Sequence, residues 1–156
     1  MPLTVGTPAP DFTLLGTDGS AAGHRPYTRS EYLGSPLVLV FYPADNTPVC
    51  TVQLNTYTAD ISEFAKAGAA VLALSPQSVE SHDAFAAEQG GFAFPLLADE
   101  GAEVGERYGI LGPIGFYRRS VFVVNPAGVI CYAHRSTAGL TFRPTAELVD
   151  ALGSCV

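Results

Sequence analysis

The stretch Leu37-Val38-Leu39-Val40-Phe41-Tyr42-Pro43-Ala44-Asp45-Asn46-Thr47-Pro48-Val49-Cys50 decides how this chain is read. Its first six residues are apolar without a break, the pattern of a central strand buried on both faces. Pro43 stops the strand. Thr47 followed by Pro48 is a helix start, with a hydroxyl residue at the N-cap and proline at the first helical position. Leu54, Tyr57, Ile61 and Phe64 then recur at three- and four-residue steps, one face of a helix that ends at Gly68. Cys50 is thus placed in the first helical turn, at the carboxyl end of a central strand, where sites gather in open α/β sheets.

Working outward, residues 69–74 read as a second buried strand. A second helix runs from Val79 to Gln89, with Ser78 as its cap and Gly90-Gly91 as its end. Residues 92–118 are less regular, with a short apolar piece from Phe94 to Ala98, a short helix from Glu100 to Tyr108, and a Gly/Pro-rich loop from Gly109 to Gly115. Residues 121–124 and 129–133 are strands flanking Asn125-Pro126-Ala127-Gly128, a hairpin signature. A last helix spans Pro144 to Leu152. Upstream, residues 1–35 are rich in Pro, Gly, Thr and Ser, and the Asp18-Gly19 turn suggests an N-terminal hairpin or arm packed on the main domain. Strands alternating with helices predict an α/β fold whose sheet has helices on both faces and is mixed because of the late hairpin. The order resembles the thioredoxin-like fold, with an N-terminal extension and an insert before the third core strand. No repeat or linker is visible, so residues 1–156 are expected to form one domain.

Composition narrows the function. The chain has 156 residues, 47 % of them apolar and 15 % charged, which supports a packed core and excludes a disordered chain. Eight basic against fifteen acidic side chains give a net charge of −7, the wrong sign for nucleic acid or an anionic membrane. No apolar run approaches the ~18 residues of a membrane span. The opening, Met1 to Gly6, has neither a charged nor an apolar leader segment, so a cytoplasmic location is expected. His24, His82 and His134 fall in no ligand spacing and read as surface or polar-contact residues; no metal or other cofactor is expected. The three cysteines, Cys50, Cys131 and Cys155, are odd in number, contain no C-x-x-C, and are not expected to form a disulfide framework.

A thiol becomes a nucleophile in an electropositive setting. The helix N-terminus beside Cys50 supplies about 0.3–2 kcal/mol in favour of a thiolate, and burial near the Leu54 stripe, at the floor of a pocket, opposes it. A nearby cation is therefore required. Arg118 and Arg119, just ahead of Val121, come back beside the first helix in this topology. Adjacent strand residues point to opposite faces, so only one of them can serve.

These residues resemble the peroxiredoxin family. Phe41 to Cys50 matches its P-x-x-x-T-x-x-C pattern preceded by F-Y. Residues Arg119 to Asn125 look like its R-x-x-F segment, and Val5 to Phe12 like its G-x-x-A-P-x-F opening. The likeness covers nearly the whole chain and is closest to the bacterioferritin comigratory (PrxQ-like) and one-Cys-like bacterial members. It implies an oxidoreductase, a thiol-dependent peroxidase acting on hydrogen peroxide or organic hydroperoxides. Cys50 would be the peroxidatic nucleophile, oxidised to sulfenic acid, and Arg119 the cation that holds thiolate and peroxide. Thr47 would supply a hydroxyl, and Pro43 would shield the sulfur. Gln53 stands where many relatives carry Glu and would brace the arginine; Arg118 is left as a solvated neighbour, and Tyr42 as packing. Asn55 occupies the place of the resolving cysteine common in PrxQ-like relatives, so that route is closed. The resolver would be Cys155, on a flexible tail, or less readily Cys131, in a core strand. Otherwise a thioredoxin- or glutaredoxin-like partner or a small thiol would reduce Cys50 directly, in a monomer or homodimer. Two alternatives stand beside this: a peroxide-sensing redox relay using the same cysteine, and a non-catalytic binding domain.

Overall fold

In the computed structural model, residues 3–20, 23–113, 115–136 and 141–155 are described. Met1 and Pro2 of the opening, Ile114 of the Gly/Pro-rich loop and Val156 lie outside them. The elements run β1 (Thr13–Thr17), β2 (His24–Thr28), a 3-10 turn (Arg29–Tyr32), β3 (Leu37–Phe41), α1 (Pro48–Ala59), α2 (Ile61–Lys66), β4 (Ala70–Ser75), α3 (Val79–Glu88), β5 (Leu96–Ala98), α4 (Glu103–Arg107), β6 (Ser120–Val124), β7 (Ile130–Arg135) and α5 (Thr145–Ser154).

The seven strands form one mixed sheet in the order β2-β1-β5-β4-β3-β6-β7. β3, β4 and β5 are parallel neighbours, as helical crossovers through α1–α2 and α3 require. β3 lies between β4 and β6, which explains its unbroken apolar run. Val38 and Val40 pack with Leu54, Tyr57 and Phe64 of α1–α2, Phe85 of α3 and Leu148 of α5. Leu37, Leu39 and Phe41 pack on the other face with Val104 of α4, Tyr108 and Phe122. Alternate residues of one strand thus feed two cores, with helices on both faces. Truncating a fully buried member such as Leu54 to alanine costs about 2–5 kcal/mol.

One register matters for function. β6 runs antiparallel to β3 with Ser120 opposite Phe41. Arg119 therefore arrives at the end of β3 from which the chain leaves toward α1.

Three expectations are corrected. The N-terminal hairpin is not merely packed on the sheet: β1 pairs with β5, with Gly16 opposite Leu97. Glycine allows that approach, since a Cβ at position 16 would lie 2.4 Å from Leu97 Cδ2. The helix expected from Pro48 to Gly68 is broken at Asp60, which ends α1 and starts α2; its carboxylate accepts the Thr145 hydroxyl at 2.8 Å and pins the chain there. Finally, Cys131 and Cys155 are joined in a disulfide, with sulfurs 2.00 Å and Cα atoms 5.6 Å apart. The helical stripe Leu148, Leu152, Cys155 continues α5 further than expected and carries Cys155 into the core, where it is buried. Cys155 is not on a flexible tail, and Cys131 is not a lone core thiol.

Among the described residues no helix is long and apolar enough to cross a membrane.

Candidate active site

Cys50 is the third residue of α1 and the free cysteine of the chain. Its side chain is fully buried, so it is covered rather than open at a pocket floor. Arg119, itself 4 % exposed, donates from Nη1 to Cys50 Sγ at 3.2 Å. The same nitrogen donates to Gln53 Oε1 at 2.6 Å. Gln53 lies one helical turn after Cys50, so α1 presents both the sulfur and the group that orients the cation. Arg118 is half-buried and its N–H pairs with the Ile110 carbonyl; it is Arg119 that the strand register turns inward.

Behind this pair, burial pushes the Tyr57 phenol up to about 12, against the downward pull of Gln53, Arg119 and Arg143. Tyr57 thus stays protonated at neutral pH and donates to the Arg143 carbonyl. Gln53, Arg119, His134 and Arg143 line a narrow crevice.

The loop from Pro43 to Thr47 links β3 to this helix. Thr47 has the extended backbone of an N-cap, but its hydroxyl caps nothing. It donates instead to the Ala44 carbonyl at 3.1 Å, which corrects the expected capping role. The loop folds back on itself, and this brings the Ala44 carbonyl within reach of the hydroxyl as an acceptor. Pro43 is half-buried beside it, and Asn46 takes a left-handed conformation with φ 62°.

Sequence reasoning missed what lies under the loop. Asp45 and His82 are both fully buried in their side chains and meet at 2.7 Å. The Tyr42 hydroxyl, expected only to pack, donates to Asp45 at 2.7 Å. Burial and the Asp45 carboxylate, with Cys50 adding to them, hold the Tyr42 phenol well above its usual range, so it is a fixed donor. The available signal was the α3 stripe Val79, His82, Phe85, Ala86, in which a histidine stands at an apolar position.

The structure therefore brings Cys50, Gln53 and Arg119 together, with Thr47 and Pro43 on the adjoining loop. Cys131 and Cys155 are not offered to Cys50 as thiols, because each already holds the other. Among the described residues no group of three His, Cys, Asp or Glu side chains could hold a metal.

A match to the AhpC/TSA family spans residues 5–133. The chain belongs to this family. It is 38 % identical over 96 % of its length to peroxiredoxin Q, chloroplastic, of Sedum lineare, covering 76 % of that protein. It is 37 % identical to peroxiredoxin Bcp of Xanthomonas campestris pv. campestris, over 74 % of this chain and 76 % of that one. Its fold superposes on Mycobacterium tuberculosis AhpC with a TM-score of 0.90 at 25 % identity, covering 99 % and 93 % of the two chains. This family member is a thiol-dependent peroxidase with the thioredoxin-like fold, using peroxide substrates and thiol reductants. The relatives favour that activity over a redox relay.

Proposed function

We propose that Cys50, as a thiolate, attacks one oxygen of a hydroperoxide in line with the O–O bond. The S–O bond forms as the O–O bond breaks, and the departing oxygen takes a proton and leaves as water or an alcohol. Cys50 is left as sulfenic acid. Arg119 stabilises the thiolate and the charge growing on the leaving oxygen, as preorganised donors do. Gln53 holds the guanidinium in place. The Thr47 hydroxyl, with its hydrogen given to Ala44, offers lone pairs to the O–H of the peroxide. Pro43 screens the sulfur from bulk water. The observation that carries this reading is the 3.2 Å contact between Arg119 and the sulfur.

A covered thiol favours small substrates, hydrogen peroxide and small organic hydroperoxides. Recycling takes two thiol equivalents: the first displaces water from the sulfenic acid to form a mixed disulfide, and the second releases the Cys50 thiol. With Cys131 and Cys155 occupied by each other, recycling is direct, by a thioredoxin- or glutaredoxin-like protein or a small thiol. This reading requires a compartment that supplies such a thiol while the Cys131–Cys155 disulfide persists. We take residues 1–156 to work as one domain, since both cores share one sheet, and as a monomer or homodimer, with no nucleic-acid or membrane partner.

The test is peroxide consumption with dithiothreitol or thioredoxin as reductant. The parent should turn over, and Cys50→Ser should not. Retention of turnover in Cys50→Ser would overturn the assignment.

A further inference from the structure

We propose that Asp45 and His82 form a buried clamp that positions the Cys50 loop for attack on peroxide, each acting as a positioning residue. This rests on Cys50 being the nucleophile.

The clamp joins three parts of the fold. Asp45 Oδ1 accepts from the Tyr42 hydroxyl at the end of β3. Oδ2 accepts from the Ser81 hydroxyl at 2.7 Å and faces His82 Nδ1 at 2.7 Å, both on α3. The backbone N–H of Asp45 donates to the Gln77 side chain at 3.0 Å. Three groups thus converge on one carboxyl, and a fourth holds the same residue by its backbone.

The proton accounting is closed. His82 Nε2 faces the Leu97 carbonyl at 2.9 Å. A carbonyl only accepts, so Nε2 carries hydrogen. A second proton then lies between Nδ1 and Asp45 Oδ2, whichever of the two owns it. A pair of this kind is sensitive to the loss of either partner, because the survivor is left buried and unmatched.

The geometry says why such a pair is kept under this loop. Arg119 is fixed by the β3–β6 register. The sulfur is carried by α1, which packs on the core through Leu54 and Tyr57, whereas Pro43 and Thr47 belong to the loop that leads into the first turn of that helix, so the loop is the adjustable side of the site. Asn46 in this loop takes a left-handed turn that asparagine adopts readily, and the residues on either side of it are held, Asp45 by its contacts to Tyr42, Gln77, Ser81 and His82 and Thr47 by its hydrogen bond to Ala44. Catalytic groups must be held within about 0.5 Å of the productive arrangement, and an apolar plug would fill the same space without directing the loop.

The experiment measures the second-order rate constant for oxidation of Cys50 by hydrogen peroxide in single turnover, by rapid quench, alkylation and mass spectrometry. Parent, Asp45→Asn, His82→Gln and the double variant are compared well below their melting temperatures. Each single variant is expected to react ten-fold or more slowly, while the thiolate absorbance near 240 nm is kept, because Arg119 is untouched. The double variant should be no slower than the slower single one, since the two residues act as one unit. Rates within two-fold of the parent, with only the melting temperature lowered, would overturn the proposal, as would losses that simply multiply. Should Asp45→Asn fail to fold, Tyr42→Phe and Ser81→Ala each remove one donor and should each slow the reaction about three-fold; unchanged rates there overturn it equally. A parent whose Cys50 does not react with peroxide would instead overturn the reading of the nucleophile.

Discussion

Arg119 and Cys50 stand sixty-nine positions apart in the chain and 3.2 Å apart in space. The sulfur is fully buried, and burial alone would favour the neutral thiol. Arg119→Met removes the cation at little cost in volume. The variant should show less thiolate absorbance near 240 nm at neutral pH and a loss of more than ten-fold in the rate of Cys50 oxidation. Arg118→Met should be nearly silent in both measurements. Equal losses in the two variants would place the catalytic cation at the wrong position.

Gln53 takes part through the guanidinium rather than through the sulfur. Gln53→Ala deletes an acceptor 2.6 Å from Arg119 and leaves the charge in place. The expected outcome is a smaller loss than in Arg119→Met, about three- to ten-fold, with the thiolate signal largely kept. Stopped-flow peroxide reduction with both variants side by side distinguishes orientation from charge.

The Cys131–Cys155 disulfide closes a loop across a sequence separation of 24. Chain-entropy reasoning assigns such a crosslink about 3 kcal/mol of stability. Reduction, or Cys155→Ser, should lower the urea midpoint accordingly while leaving peroxide reduction with dithiothreitol intact. Peptide mass mapping after peroxide treatment should find the oxidation on Cys50 and no Cys50–Cys155 disulfide. Such a crosslink in quantity would restore Cys155 as the resolving residue.

Glu147, in the first turn of α5, gives a pH prediction. Its hydrogen bonds from Arg143 and Tyr132 pull the carboxyl from the ordinary 4.5 down to about 2. A lowered folded-state value means that the unfolded chain binds the proton more readily. The stabilisation is therefore complete above about pH 4.5 and is lost as pH falls toward 2. Urea midpoints of the parent should drop through that window more steeply than those of Glu147→Gln. Parallel curves would mean that the contact adds nothing to stability.

Much of the fold could be read from local pattern. The unbroken apolar run of β3 and the stripe through Leu54, Tyr57 and Phe64 specify their own burial. Strand alternation narrowed the cation to one of Arg118 and Arg119, and the likeness of residues 119–125 to the family's R-x-x-F segment chose Arg119. What escaped depends on distant partners that no local pattern names. Asp60 breaks the first helix while making a contact with Thr145. Gly16 hints at a close approach without saying that β5 is what approaches. Cys155 looked like tail because the stripe of α5 was stopped at Leu152. The pairing of Asp45 with His82 unites a loop and a helix through hydrogen bonds, and spacing carries no trace of such a union beyond a histidine in an apolar position.

The β3–β6 pairing has a consequence for biosynthesis. A nascent chain that has not yet extended past residue 119 contains the whole Phe41–Cys50 stretch but lacks its guanidinium. The contact between cation and sulfur is therefore a property of the completed sheet: it forms only once β6 has been made and has paired with β3.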